Sequence, residues 1–384
     1  MPSSTISLPT DARQSNKLFY IDNIKILLTI LVILHHTVIA YGAAGGWYYT
    51  QKTSLTGALV PMTMFVSINQ SFFMGFFFLL AAYFSGPSYD RKGAGQFIAD
   101  RLLRLGIPLL FYSFVLSPLF SYLVYYFAKG HHITLLEYLT GYDSWIDPGV
   151  MWFVAALLVF TFLYVAVRSL FTFTFRKPLP APEADTILLF AVAIGVLSFF
   201  TRIIFPVGWV LKPLGFQLGH FPQYIALFIV GLLAFRNKWF EQLSDRTGKQ
   251  LTLSAWLCLL CLPLFFLIRV KLNMPIAWYS GGFHWQSLMY AVWEQWIGLS
   301  ILTALLVRGK RSWNISSGLL RKLSRSAFAV YIIHPLAIIS LSLAVRNLPI
   351  DPAFKFLLIA PLAVLGSFLL GSLIVLVPIV RRIV

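Results

Sequence analysis

The residues of this chain that could do chemistry are ionisable side chains set inside long apolar runs. His35 and His36 lie in an apolar run at 24–44, Glu294 in one at 285–307 and His334 in one at 326–345. Such groups are expensive in lipid and mark functional sites by default. An imidazole takes or gives a proton near neutral pH, which suits general-base work on a hydroxyl. At 1.5 Å per residue, His36 lies roughly 18 Å and His334 roughly 12 Å above one face, and Glu294 roughly 14 Å below the other. All three reach the middle of a core roughly 30 Å thick, where they can share one polar cavity. Lys25 and His36 are 11 positions apart, about 20° in azimuth on a helix, with Thr29 on the same stripe, whereas His35 points about 80° away. His36 is therefore the candidate base. His35 is read as a helix–helix hydrogen-bonding histidine, or one that orients His36. Arg101 and Arg104, one turn apart, offer two guanidinium forks suited to phosphate oxygens, or else anchor the chain among lipid headgroups. Pro108 cannot donate to the Arg104 carbonyl and crowds it, so the helix should kink beside the pair.

The elements that must position these groups follow from composition. With 384 residues, 59% apolar and only 11% charged, and a mean hydropathy of +0.80, the chain has too little polar surface to coat a water-soluble particle. It should lie mostly in lipid, as an all-α polytopic membrane protein. Spans of about 20 apolar residues are read at 24–44, 56–84, 105–127, 150–171, 186–205, 221–236, 251–270, 285–307, 326–345 and 354–379. That makes about ten helices, and backbone polar groups in lipid exclude open sheet. Placing both termini in the cytoplasm puts most of the 30 lysines and arginines on the cytoplasmic side. The net charge of +17 is then largely topology and calls for no nucleic acid.

Residues 1–20 are read as a disordered cytoplasmic tail, not a signal peptide, and 21–384 as a single membrane domain. The proline-rich segment 172–185 is a cytoplasmic linker. Cys258 and Cys261 support neither a disulfide nor a metal site. Trp47, Tyr48, Tyr49, Tyr138, Tyr142, Trp145, Trp209, Trp278, Tyr279 and Trp285 read as an interfacial aromatic belt, with sugar stacking as the alternative. Arg202, near the outer end of its span, either ends its helix or meets an anionic acceptor. By residue type alone, a proton-coupled secondary transporter of a small hydrophilic solute remains open, though no repeat or pair of broken helices supports it. Histidine-ligated haem is a third reading.

Beyond these residues, the chain resembles the integral-membrane acyltransferases of the acyltransferase-3 type, which include O-acetyltransferases of surface polysaccharides and glucan succinyltransferases. The resemblance rests on Phe19-Tyr20-Ile21-Asp22-Asn23-Ile24-Lys25 leading into His35-His36, on Phe72 to Phe84, and on Arg101-x-x-Arg104 before Gly106-Ile107-Pro108. Met151-Trp152-Phe153, Trp293-Glu294-Gln295 and Ser326 through His334-Pro335 extend it. Lys25 stands where the family has Arg, keeping charge without the planar fork, and Ala81-Ala82 replaces a Ser-Gly turn. The resemblance implies transfer of an acetyl- or succinyl-class group from cytoplasmic acyl-CoA to a hydroxyl of an extracytoplasmic carbohydrate or glycolipid, in the cytoplasmic (inner) membrane and without a metal. It gives His36 the role of general base or acyl carrier. Arg101, Arg104 and Lys25 would hold the donor, and Glu294 and His334 would orient His36 or the acceptor.

Overall fold

The computed structural model describes residues 18–141, 147–171 and 178–383. Expectations for the N-terminal tail up to residue 17, for Tyr142 and Trp145, and for the linker positions 172–177 fall outside the described residues.

Helix dominates, as the hydropathy requires. The chain opens with α1 (Phe19–Tyr41), α2 (Thr56–Gln70) and α3 (Phe73–Arg101). Next come α4 (Ile107–Phe111), α5 (Ser117–Phe127), α6 (Leu135–Thr140), α7 (Trp152–Leu170) and α8 (Ala184–Ile204). The second half holds α9 (Phe221–Arg236), α10 (Trp239–Gln242), α11 (Asp245–Lys271), α12 (Ala277–Ser280), α13 (Trp285–Ser312), α14 (Gly318–Ala344), α15 (Pro352–Ile374) and α16 (Pro378–Ile383). The isolated Leu211–Phe216 bridge is the one β pairing among the described residues.

Nine helical stretches among the described residues are long and apolar enough to cross a membrane, one fewer than the ten spans read from sequence. The difference lies in a continuous stretch of 72 residues, Thr56–Phe127. It contains the two spans expected at 56–84 and 105–127, separated where Gly93 leaves helical geometry at φ 74°, ψ 169°. A side chain strains that backbone, and glycine does not.

The outer faces suit lipid. α11 buries only Thr247, Gly248, Leu251 and Leu262, while Leu253, Trp256, Leu260 and Leu264 are exposed. In water these side chains would form an unprotected apolar patch; against acyl chains they are in their own solvent. At the centre lies α1, which packs on α2, α3, α13, α14 and α15. Its lower end is tied to the α13–α14 connection, where Asn23 Nδ2 donates to the carbonyls of Trp313 (2.7 Å) and Ile315 (3.0 Å). Its upper end meets α14 through Tyr41 Oη–Ser342 Oγ at 3.0 Å.

Two departures from regular helix bear on the site. The long second span breaks between α2 and α3 at Ser71-Phe72, where Phe72 takes φ −137°. A broken helix in lipid must have its freed polar groups satisfied by protein. Gln223 Nε2 on α9 donates to the Ser71 carbonyl at 2.6 Å. Gly298 on α13 makes the approach possible, because a Cβ there would lie 2.0 Å from the Ser71 oxygen.

The second departure is a pair of π-helical turns, Leu102–Gly106 and Tyr112–Leu116. Each ends two residues before a proline, Pro108 and Pro118. A proline ring neither donates to nor tolerates the carbonyl four residues earlier, and a wider turn accommodates it. The kink expected beside Arg104 takes this form.

Candidate active site

The site is built where α1 and α14 cross. The His36 ring stacks on His334, with centroids 5.4 Å apart and planes 20° from parallel. His334 is fixed by its own helix. Pro335 has no N–H to give the Tyr331 carbonyl, which therefore lacks its regular helical partner. His334 Nδ1 lies 2.7 Å from that oxygen. A carbonyl only accepts, so Nδ1 carries the hydrogen, and in the neutral ring Nε2 keeps its lone pair. The His334-Pro335 dipeptide thus selects one tautomer. His334 Nε2 and His36 Nδ1 are both buried with no partner inside the protein.

His35 points elsewhere, as its azimuth requires. Its ring is edge-on to His36 at 5.5 Å and rests 4.9 Å from Phe73. Asn69 Nδ2 lies 3.2 Å from His35 Nδ1 and 3.2 Å from the Leu31 carbonyl, tying α1 to the broken α2–α3 span.

The partners of Glu294 are Arg202 and His220. Its Oε2 accepts a short bond from Arg202 Nη2, and its Oε1 lies 3.3 Å from His220 Nδ1. Arg202 Nε donates to the Gly219 carbonyl at 3.1 Å. Both side chains are sealed from solvent, at 0% and 1% exposure. Arg202 is therefore not an exposed helix end, because burial of a guanidinium demands a paired carboxylate. His220 escaped sequence reasoning, since it precedes its span and reads as a loop residue. Its one signal is the Gly219-His220-Phe221-Pro222 run, where a 3₁₀ turn feeds α9.

Trp47 corrects the aromatic-belt expectation. Half-buried, its ring turns inward and stacks on His36, at 4.2 Å and 20°. Trp209, Trp278 and Trp285 remain exposed, as a belt requires.

A basic cleft lies at the lower end of the bundle. A cavity of 310 Å³ is lined by Phe84, Arg91, Lys92, Arg101 and Arg104, among others. Arg101 Nη2 donates to Ser85 Oγ at 3.1 Å, with its guanidinium 5.0 Å from the Phe97 ring centre. A short bond joins Lys92 to Asp100 and holds the half-buried Asp100 carboxyl below its ordinary range. Lys25 Nζ lies 3.5 Å from Asp22 and 4.8 Å from the centre of the Phe84 ring. It also lines a neighbouring cavity of 560 Å³ with Arg321 and Arg325. Lys25, Arg101 and Arg104 are thus brought into one region, as are His36 and His334 into another. No cluster of metal-ligating side chains occurs among the described residues.

Comparison with known proteins agrees with this architecture. A family model described as an acyltransferase domain, that of the acyltransferase-3 family, matches residues 18–373. Among curated relatives are the glucans biosynthesis protein C of Salmonella paratyphi B and that of Salmonella enteritidis PT4. Each is 22% identical over 326 residues, covering 82% of this chain and 81% of the relative. The protein of the same name from Salmonella heidelberg is 23% identical over the same extent. No solved structure matches. A family match over nearly the whole length, on an all-helical membrane fold, leads to one conclusion: the chain belongs to the acyltransferase-3 family and is a multi-pass membrane acyltransferase.

Proposed function

We propose that this protein moves an acetyl- or succinyl-class group from cytoplasmic acyl-CoA to a hydroxyl of an extracytoplasmic glycan or lipid-linked sugar, across the cytoplasmic membrane. The observation that carries the reading is the stacked His36–His334 pair, with one ring nitrogen of each buried and unpartnered. Three relatives whose name refers to glucan biosynthesis make a glucan hydroxyl the first acceptor to test.

The donor's phosphates suit the cleft of Arg101 and Arg104, with Lys25 beside it. Its pantetheine arm would run up along α1 towards His36. A ring nitrogen of His36 takes the acceptor's O–H proton as the oxygen bonds to the thioester carbonyl carbon. The carbon–sulfur bond then breaks, and the same nitrogen returns the proton to the departing thiolate. An acyl-histidine intermediate would split this transfer into two steps. His334, its tautomer fixed through Tyr331, offers His36 a neutral neighbour with an unshared pair. His35 and Glu294 are positioning residues, acting through Asn69 and through the Arg202–His220 cluster. For the transporter reading, the described residues offer the α2–α3 break, and there the Ser71 carbonyl already accepts from Gln223.

Purified protein incubated with radiolabelled acetyl-CoA or succinyl-CoA and a glucan acceptor tests the proposal. Wild type labels the glucan. His36→Ala elutes as wild type and still binds donor, but loses about 10²–10⁴-fold in transfer rate. Retained transfer by His36→Ala refutes the reading.

A further inference from the structure

Trp47 lies in the segment between α1 and α2, on the side of the membrane opposite the basic cleft, and its placement is not that of an interfacial anchor. An anchoring tryptophan keeps its ring in the interface and its N–H among headgroups and water. Here the chain folds back down onto the bundle. Gln51 N donates to the Ala40 carbonyl at 2.8 Å and Thr53 N to the Tyr41 carbonyl at 2.9 Å. Thr53 Oγ1 donates to Asp351 at 2.6 Å, and Gln51 Nε2 to the Arg346 carbonyl at 3.0 Å. On the other flank, Tyr48 Oη pairs with Tyr112 Oη at 3.0 Å and Ser117 Oγ at 3.1 Å. The indole so held packs against three separate apolar clusters and lies 4.2 Å from His36 and 6.0 Å from His334.

Its Nε1 is buried and has no partner inside the protein. An indole N–H lies in the plane of its ring. With Trp47 and His36 stacked face to face, that hydrogen cannot point at the imidazole beneath it and must point alongside the stack. A buried donor left unpaired costs about 1–3 kcal/mol, and such groups in native structures call for an explanation. The same small region holds one indole donor and two imidazole nitrogens, His36 Nδ1 and His334 Nε2, all unpartnered. A reacting pair made of an acyl carbonyl and a hydroxyl carries the complementary groups: an oxygen that accepts and a proton to give up.

We propose that Trp47 Nε1–H is a catalytic hydrogen-bond donor to the acyl carbonyl oxygen, stabilising the negative charge that develops there during transfer. The inference rests on the acyl-transfer reading of His36. As the acceptor oxygen bonds to the carbonyl carbon, the C=O electron pair moves onto its oxygen, where the indole N–H meets it. The pair returns as the carbon–sulfur bond breaks, and the proton held by His36 passes to the thiolate. The low-polarity surroundings make one fixed donor worth far more than it would be in water.

Trp47→Phe keeps a flat ring on His36 and removes only the N–H. Measured beside wild type and His36→Ala, with unfolding monitored in the same detergent, it should lose about 10²–10³-fold in kcat, with KM for donor and acceptor unchanged and the unfolding midpoint preserved. Trp47→His, which restores a ring N–H, should recover part of the loss, an outcome that a purely structural role would not produce. A Trp47→Phe protein with wild-type kcat, while His36→Ala is inactive, overturns this inference and leaves the acyl-transfer reading standing. An active His36→Ala protein overturns both.

Discussion

Neutralising Glu294 should unfold this protein far more readily than removing a surface charge would, and the reason can be worked from the geometry. Glu294→Gln keeps the volume and one acceptor oxygen, so little of the cost is a cavity; the cost is the charge left on Arg202. That guanidinium has no exposed surface. It retains the Gly219 carbonyl and the neighbouring His220 nitrogen 3.2 Å away, but neither offsets a full positive charge. Breaking one side of a buried ion pair costs about 3–5 kcal/mol. The retained bonds place Glu294→Gln near the low end, about 3 kcal/mol, or roughly 100-fold in the folded-to-unfolded ratio at 1.4 kcal/mol per tenfold. Removing both charges avoids the stranded ion. Arg202→Met combined with Glu294→Leu should therefore be less destabilised than either single variant, which is a large non-additivity. The assay is denaturant unfolding in mixed micelles, followed by tryptophan fluorescence, on wild type, Glu294→Gln, Arg202→Met, Glu294→Leu and the double variant. Glu294→Gln unfolding at the wild-type midpoint, or a double variant as unstable as the sum of the singles, would refute the reasoning. A double variant that folds yet has lost transfer would show that Glu294 does more than hold the framework.

Three further outcomes follow from the same geometry. Gly298→Ala pushes a Cβ into the Ser71 carbonyl, which α13 and the α2–α3 break cannot absorb without moving; thermal unfolding should report a loss of about 1–3 kcal/mol. Pro335→Ala returns a backbone N–H to the Tyr331 carbonyl and competes with His334 Nδ1, so kcat should fall while the protein unfolds no earlier than wild type. Arg101→Ala with Arg104→Ala should weaken acyl-CoA binding by at least tenfold in isothermal titration, and the remaining affinity should lose much of its salt dependence.

Much of the framework was legible because lipid enforces simple rules. Long apolar runs must be helices. The one disagreement in span number came from Gly93, a turn so tight that helix continues on both sides of it. That His36 and His35 point to different neighbours was also legible, since azimuth on a single helix needs no knowledge of what surrounds it. Pairings between helices were not. Depth placed Glu294 level with the histidines, but only the packing of α8 on α13 decides that Arg202 is its partner. Trp47 misled for a related reason: tryptophan after a span is usually an anchor, and nothing local to Gly45-Gly46-Trp47 reveals that Asp351 and Arg346, about 300 positions away, draw the loop inward. The fixed tautomer of His334 lay between these cases. His-Pro was visible as a motif, but its meaning depends on a carbonyl four residues back in a helix that had first to be established.

The central claim is that the His36–His334 pair performs acyl transfer on a donor held at the basic end of the bundle. Inside-out membrane vesicles loaded with glucan and given radiolabelled acetyl-CoA or succinyl-CoA on their outer, formerly cytoplasmic, face test it most directly. Label should appear on the enclosed glucan with wild type, and none above background with His36→Ala present at equal abundance. Equal labelling by the two proteins would contradict it.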